Sequence, residues 1–363
     1  MAAMQLHWDL FCRVIDNYGD IGVCWRLARQ LAAEHGKTVR LWVDELKALA
    51  PICPETDLLL ERQTLHGVEV CRWGENFSTT ESADVVIEAF ACELPEIYLQ
   101  VMAARGAKPV WVNLEYLTAE SWTDDCHGMT SPHPRLPLVK YFVFPGFSPC
   151  TAGLLREREL FARRDDFQRQ RSPRDAVQIS LFCYDTAPVA EWLSALRQQD
   201  ESVRCLVPPG KPMAAVQSAM GGNPPWALGS SRLEGIDFLP MDDYDHLLWS
   251  SDINFVRGED SFIRAQWAGR PFVWQIYPQD DAAHHAKLEA FLERYCAEMP
   301  PSMATTVKNM FLSWNTGKGV GAAWRDFFAQ RDAIAEYNRD WAMRLATMPD
   351  LTTSLVNFCA SKV

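Results

Sequence analysis

LHWDLFCRV, residues 6–14, is a strand-like apolar run, and DNYGD at 16–20 separates it from IGVCWRLARQLAAEHG at 21–36. Apolar residues recur at helical spacing from Val23 to Leu31 in the last of these segments. A strand, a short polar loop and a helix in this order form the opening unit of a parallel α/β sheet. This stretch therefore predicts a doubly wound fold with its first loop at a ligand-binding edge.

The same alternation continues along the chain. Strand-like runs in the first half are TVRLWVDEL, DVVIEAF, KPVWVNL and KYFVF, and those in the second half are VQISLF, SVRCLV, GIDFLP and PFVWQI. A charged, arginine-rich stretch separates the halves and is predicted to be a linker. The predicted divisions are a first α/β domain at 1–153, the linker at 154–175, a second α/β domain at 176–330 and a helical tail at 331–363, which we expect to pack on the first domain. Two such domains imply a cleft lined by the carboxyl ends of their strands.

Composition excludes several classes of protein. The chain has 363 residues, is 48% hydrophobic and carries a formal net charge of -12. This charge argues against nucleic-acid binding. Because no window approaches the roughly 20 apolar residues of a membrane span, we expect a cytoplasmic protein with no membrane partner. The eleven scattered cysteines lack a CxxC pair and predict reduced, packed thiols.

The first candidate site is the loop that contains Asp16, Asn17, Tyr18, Gly19 and Asp20. Two carboxylates and an aromatic ring share one short turn, and glycine lets backbone N–H groups approach a ligand. Asp20 either caps the following helix or faces the cleft. The crowding of acids favours a functional role.

The second candidate site is the turn that contains Arg257, Glu259, Asp260 and Ser261, between the strand-like DINFV and a helix start. A helix N-terminus offers unpaired N–H groups to an anion, and a guanidinium suits phosphate. Glu259 is placed to hold ribose or sugar hydroxyls. Helix capping by Asp260 or Ser261 is compatible with this role.

Four aromatic residues form the third candidate element: Phe182, Tyr184, Phe238 and Tyr244. Their rings offer stacking surfaces for a nucleobase, although each of them alone is also typical of a core residue. Asp243 and Asp245 have the spacing of a metal-binding DxD pair, but helix capping explains these acids. We therefore predict no metal and no other cofactor.

Three blocks resemble the elongation factor P arginine rhamnosyltransferases, the EarP family: DNYGDIGVCWRLARQL at 16–31, NLEYLTAESW at 113–122 and FVRGEDSFIRAQWAGRPFVWQIYPQ at 255–279. The similarity runs over nearly the whole chain. It implies a GT-B glycosyltransferase in which two Rossmann-like domains face each other across a cleft. It also implies transfer of rhamnose from TDP-β-L-rhamnose, bound by the second domain, to an arginine of translation elongation factor P, with inversion.

Residue roles follow from the same resemblance. It implies that Asp20 is the general base and that Asp16 is a second essential carboxylate. The residues implied to bind substrate are Asn17, Tyr18, Gly19, Phe182, Tyr184, Phe238, Tyr244, Arg257, Glu259, Asp260 and Ser261. A transferase acting on a small molecule or lipid and a non-catalytic nucleotide-binding protein are the alternatives. The paired carboxylates argue against a mere binder, which has no use for them.

Overall fold

A computed structural model describes residues 6–16, 18–74, 77–172, 174–278 and 283–362. The chain divides into two compact units, the first formed by 1–158 together with 346–363 and the second by 159–345. The segment expected to be a linker, 154–175, contains a helix that belongs to the second unit. Among the described residues, no helix combines the length and apolarity that a bilayer crossing needs.

The first unit is built around a sheet with the order β3-β4-β2-β1-β5-β6-β8-β7. Its elements are β1 (His7–Cys12), α1 (Gly19–His35), β2 (Thr38–Val43), α2 (Leu46–Leu49), β3 (Arg62–Leu65), β4 (Val68–Arg72), β5 (Val85–Ala89), α3 (Glu96–Ala104), β6 (Val110–Leu114), α4 (Thr123–Cys126), β7 (Thr130–Pro132) and β8 (Val139–Val143). The two end strands, β3 and β7, run antiparallel to their neighbours, and the remaining pairs are parallel.

The central strands of this sheet are buried along their whole length. Both β5 and β6 are buried at every position and mostly apolar, with Glu88 and Asn113 as the exceptions, as expected for parallel strands covered on both faces. On one face Phe11, Trp42, Tyr98 and Trp111 form an aromatic core. This packing fixes the carboxyl ends of β1, β5 and β6 side by side, where the candidate acids lie.

The second unit has a six-stranded sheet with the order β11-β12-β10-β9-β13-β14. Its elements are α5 (Leu160–Arg169), β9 (Val177–Leu181), α6 (Val189–Arg197), β10 (Val203–Val207), α7 (Lys211–Met220), β11 (Trp226–Leu228), β12 (Ser231–Gly235), α8 (Met241–Ser250), β13 (Ile253–Arg257), α9 (Asp260–Ala268), β14 (Phe272–Gln275), α10 (Ala283–Tyr295), α11 (Pro301–Thr316), α12 (Val320–Ala329) and α13 (Arg331–Leu345). All strand pairs except β11 with β12 are parallel.

The prediction of a strand at GIDFLP, residues 235–240, is wrong. The strand β12 ends at Gly235, and the apolar residues after it belong to the loop that leads to α8. In that loop the Ile236 N–H still bonds the carbonyl of Val207, but the neighbouring strand β10 ends at Val207, so the ladder cannot continue along it.

The predicted tail contributes to both units. Helix α13 belongs to the second unit, whereas the last helix, α14 (Leu351–Ala360), belongs to the first. The N-terminus of α14 is capped by Asp350, and Thr352 Oγ1 donates to the buried Gln30 Oε1 at 2.7 Å. Gln30 Nε2 donates to the carbonyl of Arg156 at 2.8 Å. A buried amide on α1 therefore joins the end of the chain to the first unit.

Candidate active site

Asp20 lies in the first turn of α1 with only 2% of its surface exposed. Its Oδ2 accepts the backbone N–H groups of Ile15 and Asp16, each at 2.8 Å. The helix N-cap is Tyr18, whose side chain makes no capping hydrogen bond. Capping of α1 by Asp20 was one of the two roles considered, and the observed hydrogen bonds do not support it. The carboxylate instead folds the preceding loop around itself.

Tyr116 is a neighbour of Asp20 that the sequence analysis did not assign. Its hydroxyl donates to Asp20 Oδ1 at 3.3 Å, and its ring stacks on Phe90 with centroids 4.3 Å apart. Phe90 follows β5 and adopts a left-handed φ of 56°, a conformation that is uncommon outside glycine. Tyr116 lies in the family-like block at 113–122, which was the available signal.

The pKa of Asp20 is raised above its ordinary value. Burial is the largest cause, and the nearby Asp44 adds to the rise. The hydrogen bonds from the backbone of Asp16 and Ile15 and from Tyr116 oppose it without cancelling it. A carboxylate with a raised pKa binds a proton more readily, which is what a general base requires.

Asp16 is half-buried in the same loop, and its carbonyl accepts the Gly19 N–H at 2.6 Å. A Cβ built at position 19 would lie 2.8 Å from Asp16 Oδ2, so the close approach of this carboxylate requires glycine. The loop thus brings two acids to the start of α1, as predicted. Tyr18 is half-buried beside them, and Asn17 lies outside the described residues.

In the second unit, the residues predicted to bind an anion lie at the junction of β13 and α9. Gly258 has a left-handed φ of 62°, and Glu259 is the N-cap residue of α9 without a side-chain capping bond. Ser261 Oγ accepts the Arg257 N–H at 3.2 Å and donates to the carbonyl of the same residue. Ser261 therefore braces the turn, and Asp260 begins the helix.

Tyr184 lies beside two cations. The Arg257 guanidinium is 4.6 Å from the ring centroid and the Lys211 ammonium is 5.3 Å from it. The Tyr184 backbone N–H is held by Gln275 Oε1 at 2.7 Å. Lys211, at the start of α7, was not predicted; its signal was the Pro-Pro-Gly turn that ends β10. Tyr184 is buried and carries two cations at its ring, of which Lys211 also lies 3.6 Å from Asp185 Oδ1.

The other predicted rings, Phe182, Phe238 and Tyr244, come from the end of β9, the loop before α8 and α8 itself. Phe182 and Tyr244 meet edge to face with centroids 4.8 Å apart and an interplanar angle of 73°. Both rings are half-buried, as is Phe238 in the loop between β12 and α8. Phe182 follows directly after β9, and Tyr244 lies on α8. Phe182 and Tyr244 are therefore partly accessible aromatic surfaces.

The acids of the DxD-like pair have different environments. Asp245 is 1% exposed and binds Arg264 in bidentate fashion, with Nε to Oδ1 at 3.0 Å and Nη2 to Oδ2 at 2.6 Å. Asp243 is exposed and lies 3.7 Å from His246. The interpretation of Asp245 as a helix cap is wrong, because the N-cap of α8 is Pro240 and Asp245 lies beyond its first turn.

Comparison with known families was made for the whole chain. Residues 8–360 match the model of the elongation factor P rhamnosyltransferases, EarP. The chain belongs to the EarP family. This family assignment agrees with the three blocks of sequence that resemble it.

EarP relatives cover the chain nearly from end to end. A protein-arginine rhamnosyltransferase from Pseudomonas putida is 46% identical over 98% of this chain and 99% of its own. Another, from Pseudomonas aeruginosa, is 46% identical over 97% and 98%. A solved structure, described as the basis for EarP-mediated arginine glycosylation of translation elongation factor EF-P, is 33% identical with a TM-score of 0.70 and covers 99% of this chain and 100% of that chain.

The fold extends to more distant glycosyltransferases. The spinosyn forosaminyltransferase SpnP shares only 12% identity, yet it matches with a TM-score of 0.53 over 98% of this chain and 100% of its own. This likeness concerns the fold alone. The predicted α/β fold of the GT-B class is confirmed by these comparisons together with the two mostly parallel sheets.

Proposed function

We propose that this chain is a protein-arginine rhamnosyltransferase that transfers rhamnose from TDP-β-L-rhamnose to an arginine of translation elongation factor EF-P. Membership of the EarP family and relatives of 46% identity that carry this activity in their names support the proposal. The structural observation that carries it is the buried Asp20, whose pKa is raised and whose loop also contains Asp16.

The acceptor poses a chemical problem that this loop suits. A guanidinium has a pKa above about 12 and is a poor nucleophile. In the proposed mechanism Asp16 and Asp20 bind the guanidinium and direct one nitrogen at the anomeric carbon. As the N–C bond forms, that nitrogen gives its proton to Asp20. The acceptor atom is Oδ1, because Oδ2 already accepts two backbone N–H groups.

The donor is assigned to the second unit. Phe182, Phe238 and Tyr244 would contact thymine, while Tyr184 and Arg257 lie toward the diphosphate. The start of α9 and Arg257 stabilise the negative charge that develops on the departing TDP. Glu259, Asp260 and Ser261 surround the same helix end and would contact ribose or sugar hydroxyls.

The bond changes balance without a covalent intermediate. The anomeric carbon gains the guanidinium nitrogen and loses the diphosphate oxygen, so attack opposite the leaving group inverts the β-linked donor to an α-linked product. The proposal requires no metal, since Arg257, Lys211 and a helix N-terminus supply positive charge. In support, Asp245 is already bound to Arg264.

Intact-mass analysis of EF-P after incubation with this protein and TDP-rhamnose tests the proposal. We expect one deoxyhexose increment, which peptide mapping assigns to an arginine. A matched incubation with the Asp20→Asn variant is expected to leave EF-P unmodified. Unmodified EF-P with the parent protein would overturn the proposal, and rhamnose found on a small molecule or lipid would establish the alternative acceptor class.

A further inference from the structure

Three side chains with metal-binding atoms meet in the first unit, away from the loop that contains Asp20. Two come from the turn after α2, and the third comes from the β3–β4 hairpin. Cys53, Glu55 and His66 each offer one ligand atom, and these atoms all lie within 4.8 Å of one another. Cys53 Sγ is 3.3 Å from Glu55 Oε2, and His66 Nε2 is 3.7 Å from Glu55 Oε1. Among the described residues, these are the three metal-binding side chains that lie close enough together to share one ion.

The thiol is held in a rigid turn after α2. The Cys53 N–H bonds the carbonyl of Leu49 at 2.9 Å. The carbonyl of Cys53 accepts both the N–H and the hydroxyl of Thr56, at 3.0 and 2.7 Å. Cys53 itself is 2% exposed, whereas Glu55 is exposed. The Cys53 thiol is thus fixed beneath the surface, and the Glu55 carboxylate lies above it at the solvent boundary.

His66 comes from the tip of the β3–β4 hairpin. Leu65 pairs with Val68, so His66 and Gly67 form a two-residue turn, with φ values of 48° and 80°. Two left-handed residues in such a turn define type I′, where Asn-Gly is the common sequence. The imidazole lies edge to face with the buried Trp25 of α1, with centroids 5.9 Å apart. The turn and this ring together aim the imidazole at Glu55.

The separations fit a tetrahedral metal. Zinc binds sulfur at about 2.3 Å, nitrogen at about 2.0–2.1 Å and carboxylate oxygen at about 2.0–2.2 Å. Neighbouring ligands of a tetrahedral ion with these bonds are roughly 3.3–3.8 Å apart. Cys53 Sγ lies 3.3 Å from one Glu55 oxygen and His66 Nε2 lies 3.7 Å from the other, both within this range, and one ligand atom from each residue lies within 4.8 Å of the other two. A thiolate, an imidazole and a carboxylate also form a donor set that suits zinc better than magnesium or calcium.

We propose that Cys53, Glu55 and His66 bind one zinc ion, with water as the fourth ligand. On binding, the thiol releases its proton to solvent. The ion would join the β3–β4 hairpin to the turn after α2, and it takes no part in sugar transfer. Spacing alone did not reveal this site, because its ligands are brought together by the hairpin. The proposal departs from the sequence-based expectation that the chain binds no metal.

Cobalt substitution tests thiolate ligation directly in the full-length protein. The chain is stripped of metal, titrated with cobalt and examined for the sulfur-to-cobalt charge-transfer band, and zinc is then added to displace cobalt. We expect one equivalent with this band. Cys53→Ser should lose the band, and His66→Asn should lose the tight equivalent while retaining a residue suited to the left-handed turn. Cys150→Ser, which removes an exposed thiol elsewhere, should behave as the parent.

Thermal unfolding keeps the proposal testable if the cysteine variant folds poorly. Zinc should raise the melting temperature of the parent and of Cys150→Ser but not that of His66→Asn, because only a ligand of the folded state stabilises it. A parent that binds no zinc, or a His66→Asn variant that retains both the equivalent and the thermal shift, would show that the three side chains form only an ion pair and a thiol hydrogen bond.

Discussion

The buried carboxylate of Asp20 is needed for the proposed catalysis, but its negative charge destabilises the folded protein near neutral pH. Because burial raises its pKa in the folded protein, its contribution to stability is present below the unfolded pKa and is lost as the pH rises through the folded pKa. We expect Asp20→Asn to reduce rhamnosylation by at least about 10²-fold, the lower range for loss of a general base. Near neutral pH the variant should melt at the parental temperature or above, because the buried negative charge is gone. Turnover and thermal unfolding measured on one preparation check both expectations.

Asp44→Asn is the matched control for this prediction. Asp44 Oδ1 accepts the Val14 N–H at 2.9 Å, a bond that asparagine can keep. This variant removes a neighbouring acid without touching the proposed base, and it should retain most of the turnover. Parental turnover in Asp20→Asn would contradict the proposed mechanism. A marked fall in its melting temperature would instead indicate that the carboxylate serves mainly to hold the loop.

Tyr116 tunes the proposed base and gives a pH-dependent prediction. Its hydrogen bond favours the ionised form and lowers the Asp20 pKa. Tyr116→Phe removes this bond but keeps a ring to stack on Phe90, so the Asp20 pKa should rise. The acidic limb of the pH–rate profile should then move to higher pH. Tyr141→Phe, on β8, is the control, and an unmoved limb in Tyr116→Phe would exclude the hydroxyl as a positioning group.

Phe182 tests where the donor binds. Replacing it with alanine removes one half-exposed ring at the end of β9 and should weaken TDP binding by about 1–3 kcal/mol, the range seen for base stacking on aromatic side chains. Phe182→Tyr keeps a stacking face and should bind TDP much like the parent. Calorimetry measures both, and equal affinity in a folded Phe182→Ala variant would place the base elsewhere.

Several site residues could be predicted because local sequence determines them. A strand, a glycine-containing loop and a helix locate Asp16 and Asp20 at the carboxyl edge of the sheet without knowledge of distant contacts. Tyr116 and Lys211 could not be assigned in this way. Tyr116 comes from the loop after β6, 96 positions from Asp20 along the chain, and only the assembled sheet brings its hydroxyl to that carboxylate.

At the level of elements, α8 and α9 are joined by a buried ion pair between Asp245 and Arg264. Asp245→Asn removes the negative charge that pairs with the buried Arg264 guanidinium. Loss of one partner of such a pair costs about 3–5 kcal/mol, and we expect a decrease of this size in the free energy of unfolding. Urea denaturation measures it. Replacing both residues with leucine should restore part of the stability, because the lone charge is then absent.

This ion pair also determines whether Asp245 is available to a metal. If Asp243 and Asp245 held a catalytic ion, excess chelator would abolish turnover, and magnesium or manganese would restore it. We expect turnover to persist in chelator. A rate lost in chelator and regained with magnesium would contradict this expectation, as would an Asp245→Asn variant of parental stability that has lost metal-dependent activity.

Elements with a mostly apolar pattern were the ones that sequence predicted best. The buried strands β5 and β6 are examples, since a short run with a single polar residue, Glu88 or Asn113, has few alternatives in an α/β fold. Helix α5 was not predicted, because its many charged residues indicated a linker. Leu160 is buried, Phe161 packs on Trp267 and Phe167 stacks on His246, but these contacts lie among arginines and acids that resemble a solvated linker.

At the level of the whole molecule, the first unit is completed by the last helix of the chain. A protein that ends at Leu345 would lack the partners of Gln30 on and beside α14, namely Asp350 Oδ1 at 3.1 Å and Thr352 Oγ1 at 2.7 Å. Each buried polar group left without its bond costs about 1–3 kcal/mol, and the apolar face covered by α14 becomes exposed. We expect this truncation to unfold the first unit while 159–345 remains resistant to proteolysis. Limited proteolysis with mass spectrometry identifies the protected fragment.

A shorter truncation provides the control. Removing only 361–363 leaves residues Leu351–Ala360 of α14 and the bonds from Asp350 and Thr352 to Gln30 in place, and this protein should resist proteolysis like the full chain. Protection of 1–158 in the protein that ends at Leu345 would show that the first unit folds without its last helix. Loss of protection of 159–345 in the same protein would show that the two units unfold together.

The return of α14 to the first unit also sets an order of events on the ribosome. At about 5–20 residues per second, the whole second unit takes about 10–40 s to synthesise after Arg158 has been made. During that interval the N-terminal sheet exists without the helix that covers one end of α1. The later-made unit can therefore complete its fold first, which reverses the usual N-to-C order. A message that is broken near its 3′ end would yield an intact second unit beside a first unit without its last helix, a product that quality-control proteases can recognise by the apolar surface that α14 normally covers.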